Sequence, residues 1–217
     1  MSIKIILAED HQIVRQGLRS LLAGEPDMKV VGEADTGRKA LKLAQELAPD
    51  VIIMDISMPD MNGIEATRQL QVESPEVRVI ALSMHSDSLF VMNMLKSGAM
   101  GYLLKDCALE ELVKAIRTVM RQQTYISPGI SDLLILDIAH GCTAAANSAY
   151  SILTTREREV LQLLAGGQRT KQIATTLGVS NKTIEAHRKQ LMDKLGLHSI
   201  AELTKYAIRQ GLTSLDD

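Results

Sequence analysis

Aromatic side chains are nearly missing: 217 residues hold no Trp, one Phe and four Tyr. The interior therefore has to be closed by Leu, Ile, Val, Ala and Met. Cysteine is almost as scarce. Cys107 and Cys142 stand far apart, without metal or redox spacing, which excludes a disulfide framework or a zinc knuckle and predicts two reduced, unpaired thiols. No apolar run approaches the roughly 18 residues that a membrane span needs. The opening MSIKIILAED meets acids at once and has no small-residue cleavage site, so it reads as a first strand rather than an export signal. Cytoplasm is the expected location, with no membrane partner. Glycine-rich phosphate loops are missing too, neither GxxxxGK[ST] nor GxGxxG.

What is there is ordinary soluble-protein composition, 46% hydrophobic and 23% charged, in a chain long for one domain and comfortable for two. The net charge of −2 is unevenly divided. Up to residue 140 there are 14 basic against 19 acidic residues, and beyond it 10 against 7. An acidic half joined to a basic half suggests different partners for each.

Over the first 125 residues short aliphatic runs alternate with helical periods. Strands are predicted at Ile3–Ala8, Lys29–Glu33, Val51–Met54, Val79–Leu82 and Gly101–Leu104, with amphipathic stretches near 11–23, 37–47, 63–73, 87–97 and 108–122. Such alternation means crossover units and a parallel sheet covered by helices on both faces. One more apolar helix is expected near 130–139, and residues 141–150 have linker composition. From 154 onward the pattern is helical, with helices near 154–166, 170–177, 180–195 and 199–210. Thr154 with Glu157 and Ser199 with Glu202 fit the capping box, while Thr170 and Ser180 stand where N-caps are wanted. Gly178 and Gly211 mark helix ends. Leu177-Gly178-Val179-Ser180 is the tight turn of a helix-turn-helix.

Ligands of open α/β sheets bind beyond the carboxyl ends of the strands. Strand one leads into Glu9 and Asp10, strand three into Asp55, strand four into Ser83 and strand five into Lys105. Any one of these has the plain explanation of loop chemistry, but suitable types at four of five strand ends are harder to dismiss. Acids at 10 and 55 brought together need a cation between them. Hard carboxylate oxygens with few protein ligands suit Mg²⁺. Lys105 adds mobile positive charge and Ser83 a donor, a set able to neutralise a phosphoryl group in transfer. Asp55, on the central strand, is the carboxylate nucleophile of choice.

Glu9-Asp10-His11, the segment Asp55-Ile-Ser-Met-Pro-Asp-Met-Asn-Gly63, Ser83 and Gly101-Tyr-Leu-Leu-Lys105 together closely resemble the receiver domains of two-component response regulators. The resemblance covers residues 1 to about 122 and implies a flavodoxin-like five-stranded parallel sheet, order 2-1-3-4-5. It implies that Asp55 is the phosphoacceptor, charged by a sensor histidine kinase. It also implies that Asp10, Asp55 and the Ser57 carbonyl hold Mg²⁺ with Glu9 acting through water, that Ser83 and Lys105 bind phosphoryl oxygens, and that Tyr102 is the aromatic that turns inward on activation. Two departures matter. Position 9 is Glu where the family often has Asp, altering the outer metal shell. Asp106 follows the lysine where many receivers have a cis proline, so an ordinary trans bond is expected. Ser57 and His85 lie two residues beyond the acceptor and the hydroxyl, where side chains can tune the lifetime of the acyl phosphate; plain exposed loop residues are the other reading.

In the helix near 180–195, Ile184, Leu191, Met192 and Leu195 form a buried stripe and Lys182, Glu185, Ala186, Arg188 and Lys189 the opposite face. That division suits a recognition helix, anchored on one side and presenting donors and acceptors on the other. It equally suits a solvated cationic face. The segments 153–161 (LTTREREVL), 171–174 (KQIA), 179–184 (VSNKTI) with His187, and 194–197 (KLGL) resemble the LuxR-type helix-turn-helix across roughly 153–212. The resemblance implies that Glu185, Ala186 and Lys189 face base edges of double-stranded promoter DNA. It places Lys182, Thr183 and Arg188 at phosphates, which position without reading sequence, and makes Lys171 and Ser180 weaker phosphate contacts. His187 has two readings, a further phosphate contact or a residue packed between helices. Arg156 and Arg158, beside Glu157 and Glu159, read as surface or interdomain pairs. The domains are then 1–125 (receiver), 126–152 (helix plus linker) and 153–217 (DNA binding). The pairing is similar to the NarL/FixJ class of transcriptional response regulators, in which phosphorylation favours a homodimer on paired half-sites.

One competing reading is a phosphohydrolase, which has a second acid two residues after its nucleophile; here that residue is Ser57. Another is a receiver that is never phosphorylated, against which stand Ser83 and Lys105. The expected chemistry is therefore not that of a classical enzyme, only self-phosphorylation from a donor and slow hydrolysis.

Overall fold

In a computed structural model, residues 2–86, 88–107, 109–139, 152–210 and 212–213 are described. The chain divides into two compact units, Met1–Thr143 and Ala144–Asp217. The predicted linker 141–150, Cys142 and Gly211 lie outside the described residues, and Cys107 is unpaired.

In the first unit strands and helices alternate as β1 (Ile3–Ala8), α1 (Gln12–Leu22), β2 (Met28–Ala34), α2 (Gly37–Leu47), β3 (Val51–Asp55), α3 (Gly63–Glu73), β4 (Arg78–Ser83), α4 (Ser88–Lys96), β5 (Gly101–Leu104), α5 (Leu109–Met120), β6 (Tyr125–Ile126) and α6 (Pro128–Ala139). All strands are parallel, in the order β2-β1-β3-β4-β5-β6. The expected order 2-1-3-4-5 holds, but the sheet has six strands rather than five. Gly101 pairs with Tyr125 and Tyr102 with Ile126, a two-residue strand too short to show in a hydrophobic period. It covers the edge that β5 would otherwise expose. Pro128 then opens α6, where a missing N–H costs nothing.

Burial follows from the layers. Every residue of β3 is buried, as a central strand sandwiched between helices requires. On one face Ile5, Leu7, Ile53, Ile80, Leu82 and Leu103 pack with Ile116 and Val119 of α5. The shortage of aromatics is thus met by branched aliphatics, with Tyr102 among the largest fully buried side chains. Helix starts are fixed locally. Thr36 Oγ1 accepts from the Lys39 N–H at α2, and Asn62 Oδ1 from the Glu65 N–H at α3, each satisfying an amide that has no helical partner.

The second unit is helical: α7 (Thr155–Ala165), α8 (Thr170–Thr176), α9 (Asn181–Leu195) and α10 (Ile200–Arg209). Val160, Leu161, Ile173, Ile184, Leu191, Leu203 and Ala207 form its interior. Both predicted capping boxes are present, at Thr154/Glu157 and Ser199/Glu202. Glu157 is buried and also pairs with Lys194 of α9 at 2.7 Å. Burial alone would raise its pKa, but Lys194 and the Thr154 amide outweigh burial and hold the carboxyl below its usual range. Ser180 caps α9 as expected, its Oγ accepting from the Thr183 N–H. Thr170 does not cap α8: the N-cap is Arg169, whose N–H donates to Gln172 Oε1 at 2.9 Å, and Thr170 is the first helical residue. Gly178, between α8 and α9, sits at φ 64, a left-handed conformation that glycine adopts without strain.

Candidate functional site

Parallel strands deliver their carboxyl ends to one edge of the sheet. Glu9 follows β1, Asp55 ends β3, Ser83 ends β4 beside Leu104, and Lys105 follows β5. At this edge Lys105 Nζ lies 2.8 Å from Glu9 Oε2 and 2.9 Å from Asp55 Oδ2. One ligand atom each from Glu9, Asp10, His11 and Asp55 can be chosen within 4.8 Å of one another. Glu9, Asp55 and Ser83 are buried, while Asp10, Ser57 and Lys105 are half-buried.

Such a concentration of buried negative charge has an electrostatic consequence. The Asp55 carboxyl is pushed up to about 7, first by burial and then by Glu9, against the pull of Lys105. Burial opposes the charge of Lys105, but Asp55 and then Glu9 more than compensate and raise its pKa. His11 Nδ1 lies 2.8 Å from Asp10 Oδ1 and 3.1 Å from Glu9 Oε1, and these acids, Asp10 first, raise its pKa.

The β3–α3 loop closes tightly over Asp55. The Ser57 N–H donates to Asp55 Oδ1 at 3.4 Å, and the Gly63 N–H donates to the Ile56 carbonyl at 2.9 Å. Ser57 and His85 are joined, with Ser57 Oγ 3.2 Å from His85 Nε2. The His85 ring is stacked on Phe90, centroids 4.2 Å apart and planes 9° from parallel. The backbone of His85 is held as well: its N–H donates to Ser83 Oγ at 3.0 Å and its carbonyl accepts from the Tyr102 hydroxyl at 2.7 Å. Tyr102 is fully buried and points inward. The peptide bond between Lys105 and Asp106 is trans.

The receiver residues singled out from sequence therefore gather around Asp55, apart from Tyr102, which reaches the site through its hydroxyl bond to the His85 backbone. Sequence reasoning missed Phe90 and Arg15, and it included His11 in the motif without giving it a role. Phe90 is the single Phe of the chain, five positions past His85, and that rarity was the available signal. Arg15 donates to the Glu9 carbonyl and pairs with Glu33, contacts that no spacing announces.

On α9, Lys182, Glu185, Ala186 and Lys189 are exposed, whereas Thr183, His187 and Arg188 are half-buried. Ile184 and Leu191 anchor the opposite side. His187 Nδ1 is buried without a hydrogen-bond partner among the described residues, and Ser180 Oγ lies 2.9 Å from Thr183 Oγ1. Lys171 and Ser180 are exposed. Arg156 pairs with Glu159 at 2.8 Å and donates to the Leu177 carbonyl in the helix-turn-helix turn. The expectation of a surface pair is corrected for Arg158. It is buried and donates to the Leu153 carbonyl and to Thr155 Oγ1, because its long stem folds back over the start of its own helix.

Residues 5–117 match the response regulator receiver domain family and residues 151–207 the bacterial regulatory proteins of the luxR family. The chain is 37% identical over 210 residues to the response regulator GacA of Pseudomonas syringae pv. syringae (strain B728a), covering 97% of each. It is 39% identical over 213 residues to the oxygen regulatory protein NreC of Staphylococcus carnosus (strain TM300), covering 96% of this chain and 98% of that one. Among solved structures, the Salmonella typhimurium RcsB response regulator is similar at a TM-score of 0.60 and 29% identity, over 94% of this chain and 97% of that one. A complex of RcsB with DNA matches at 0.60 and 28%, over 97% and 99%. On these matches the chain belongs to the two-component response regulators of the NarL/FixJ class, a receiver domain joined to a LuxR-type DNA-binding domain.

Proposed function

We propose that Asp55 accepts a phosphoryl group from a sensor histidine kinase in the cytoplasm, with Mg²⁺, and that the acyl phosphate switches homodimerisation and binding to double-stranded promoter DNA. The observation that carries this reading is the convergence of Glu9, Asp10 and Lys105 on a buried Asp55. The carboxylate attacks phosphorus, the phosphorus–nitrogen bond to the kinase imidazole breaks, and the electron pair leaves with the imidazole. Lys105 exchanges its Asp55 oxygen for a phosphoryl oxygen, and Ser83 Oγ supplies a hydroxyl donor to another.

The residues fit a hard divalent cation. Beyond their ion pairs with Lys105 and His11, the buried oxygens Glu9 Oε2, Asp10 Oδ1 and Asp55 Oδ2 accept no directed hydrogen bond among the described residues. That arrangement costs free energy unless a cation draws on their lone pairs. Asp10, Asp55 and the Ser57 carbonyl would hold Mg²⁺, with Glu9 acting through water, and the ion would neutralise charge on the phosphoryl oxygens. To test the acceptor, the chain is incubated with acetyl phosphate and Mg²⁺ and reduced with borohydride, which converts a phosphoaspartate to homoserine. Peptide mapping is expected to place homoserine at position 55; conversion at another acid overturns the assignment.

Ser57 and His85 tune hydrolysis of the acyl phosphate. Their mutual contact beside Asp55 supports this role. His85→Ala is expected to change the half-life of the phosphorylated protein several-fold, and an unchanged half-life removes the pair from the account. In the second unit, exposed Glu185, Ala186 and Lys189 read base edges, while Lys182, Thr183, His187 and Arg188 contact phosphates. The relative RcsB has been solved as dimers bound to DNA, which supports a dimer here. Lys189→Ala should weaken specific binding by about 1–3 kcal/mol. Equal loss on operator and random DNA would reassign Lys189 to a phosphate.

A further inference from the structure

Glu9 and Asp10 are neighbours in sequence, and in extended chain neighbouring side chains point to opposite faces. Yet both carboxylates lie in one cluster with Asp55. The backbone therefore has to turn as it leaves β1. The Glu9 N–H still follows the sheet, donating to the Ala34 carbonyl at 3.0 Å, and β1 stops at Ala8. At the start of α1 the N-cap, His11, makes no capping hydrogen bond with its side chain. Its N–H donates to Glu9 Oε1 at 3.1 Å, which ties the Glu9 carboxylate to the turn and leaves the carbonyls of residues 9 and 10 to be held from elsewhere.

Arg15 supplies the grip. From α1 its Nη1 reaches back to donate to the Glu9 carbonyl and lies 3.5 Å from the Asp10 carbonyl. Its Nε donates to Glu33 Oε2 of β2 at 3.2 Å. Glu33 in turn is held through its other oxygen by Arg19. The Arg15 side chain is only 16% exposed, so these bonds are sheltered from competing water. A planar guanidinium can serve two carbonyls and a carboxylate at fixed angles; an ammonium of similar reach is a point charge without that fork. The bonds from Arg15 to residues 9 and 10 go to backbone carbonyls, not to the carboxylates of the cluster.

We infer that Arg15, clamped by Glu33, is the positioning residue that turns both Glu9 and Asp10 into the Mg²⁺ hollow. It acts on their backbone and never on the ion. The inference rests on the metal reading proposed above, and it assigns to the β1–α1 turn a preorganisation that the carboxylates alone do not provide.

The test measures Mg²⁺ affinity of the full-length chain by titration calorimetry, for the native protein, Arg15→Ala, Arg15→Lys and Arg19→Ala. Far-UV circular dichroism and melting in EDTA are recorded for each. The Kd of Arg15→Ala is expected to rise about 10-fold or more, in the range typical for residues that orient metal ligands. Arg15→Lys should lose nearly as much, and it decides the matter where Arg15→Ala fails to fold. Arg19→Ala removes only the outer bond to Glu33 and should keep the native Kd. A purely structural Arg15 would lower the melting point and leave the Kd of the folded protein unchanged, which overturns the inference while the metal reading stands. A native chain that gives no Mg²⁺ heat at all overturns both.

Discussion

Asp55→Asn is expected to take up no phosphoryl group and yet to melt at a higher temperature than the native chain in metal-free buffer at pH 8. The loss of uptake follows from chemistry, since an amide is no nucleophile for phosphorus. The gain in stability follows from the cost of the native charge. Buried among acids, the Asp55 carboxyl is pushed up to about 7 from its ordinary value of 3.8. A carboxyl raised on folding holds its proton more tightly in the folded state. Its contribution to stability is thus complete below about pH 4 and is lost as the pH climbs through 7. At roughly 1.4 kcal/mol per pKa unit, the native chain forgoes up to about 4 kcal/mol above that range. Asparagine has nearly the same shape without the charge, and Lys105 keeps Glu9 as a partner at 2.8 Å. The difference between the two proteins should therefore shrink towards zero near pH 4. Thermal melts in EDTA across this range check it, and an Asn variant less stable at pH 8 would show that the carboxylates do not repel as the geometry requires. Adding Mg²⁺ should stabilise the native chain more than the variant, since the cation offsets the mutual repulsion of the three acids.

The readable parts of this molecule are those where one residue type has one physical use. Unbroken aliphatic runs such as Val51–Met54 read as central strands because only a strand covered on both faces has that pattern. Acids, a hydroxyl and an amine at successive strand ends were legible for the same reason: a parallel sheet sends every carboxyl end to one edge. The sixth strand was not legible. Tyr125–Ile126 has no period of its own, and its pairing is decided by the exposed edge of β5. Arg158 shows the same limit at a side chain. A charged residue in the sequence TREREV reads as surface, whereas its stem and guanidinium are satisfied by the carbonyl of Leu153 within the same helix start. The backbone grip of Arg15 is likewise invisible, because it depends on how α1 meets the turn after β1, and the Phe90–His85 stack was signalled only by the rarity of Phe.

Glycine at 63 carries the second large effect. A Cβ placed there would stand 2.0 Å from the Asp55 carbonyl oxygen, 2.9 Å from its carbon and 3.0 Å from Met54 Cγ. Two of the three atoms are backbone of the central strand, which has no side-chain freedom with which to yield. The tight return is needed because Asn62 caps α3 only seven residues after β3 ends, and the Gly63 N–H bonds back to the Ile56 carbonyl. Gly63→Ala should therefore cost about 3 kcal/mol or more, at or beyond the upper end for overpacking. It should also shift Asp55 away from Lys105, so that phosphoryl uptake falls even at temperatures where the variant stays folded. Gly17 provides the matched comparison. It lies exposed within α1, and a Cβ added there would meet nothing within 4 Å. Gly17→Ala should stabilise by about 0.5–1 kcal/mol through helix propensity alone. Urea unfolding of the two variants separates the cases, because the same added methyl is predicted to act with opposite signs. If Gly63→Ala proves as stable as the native chain, the β3–α3 loop does not press on Asp55, and the place of its carboxylate is set by Lys105 and the neighbouring acids instead.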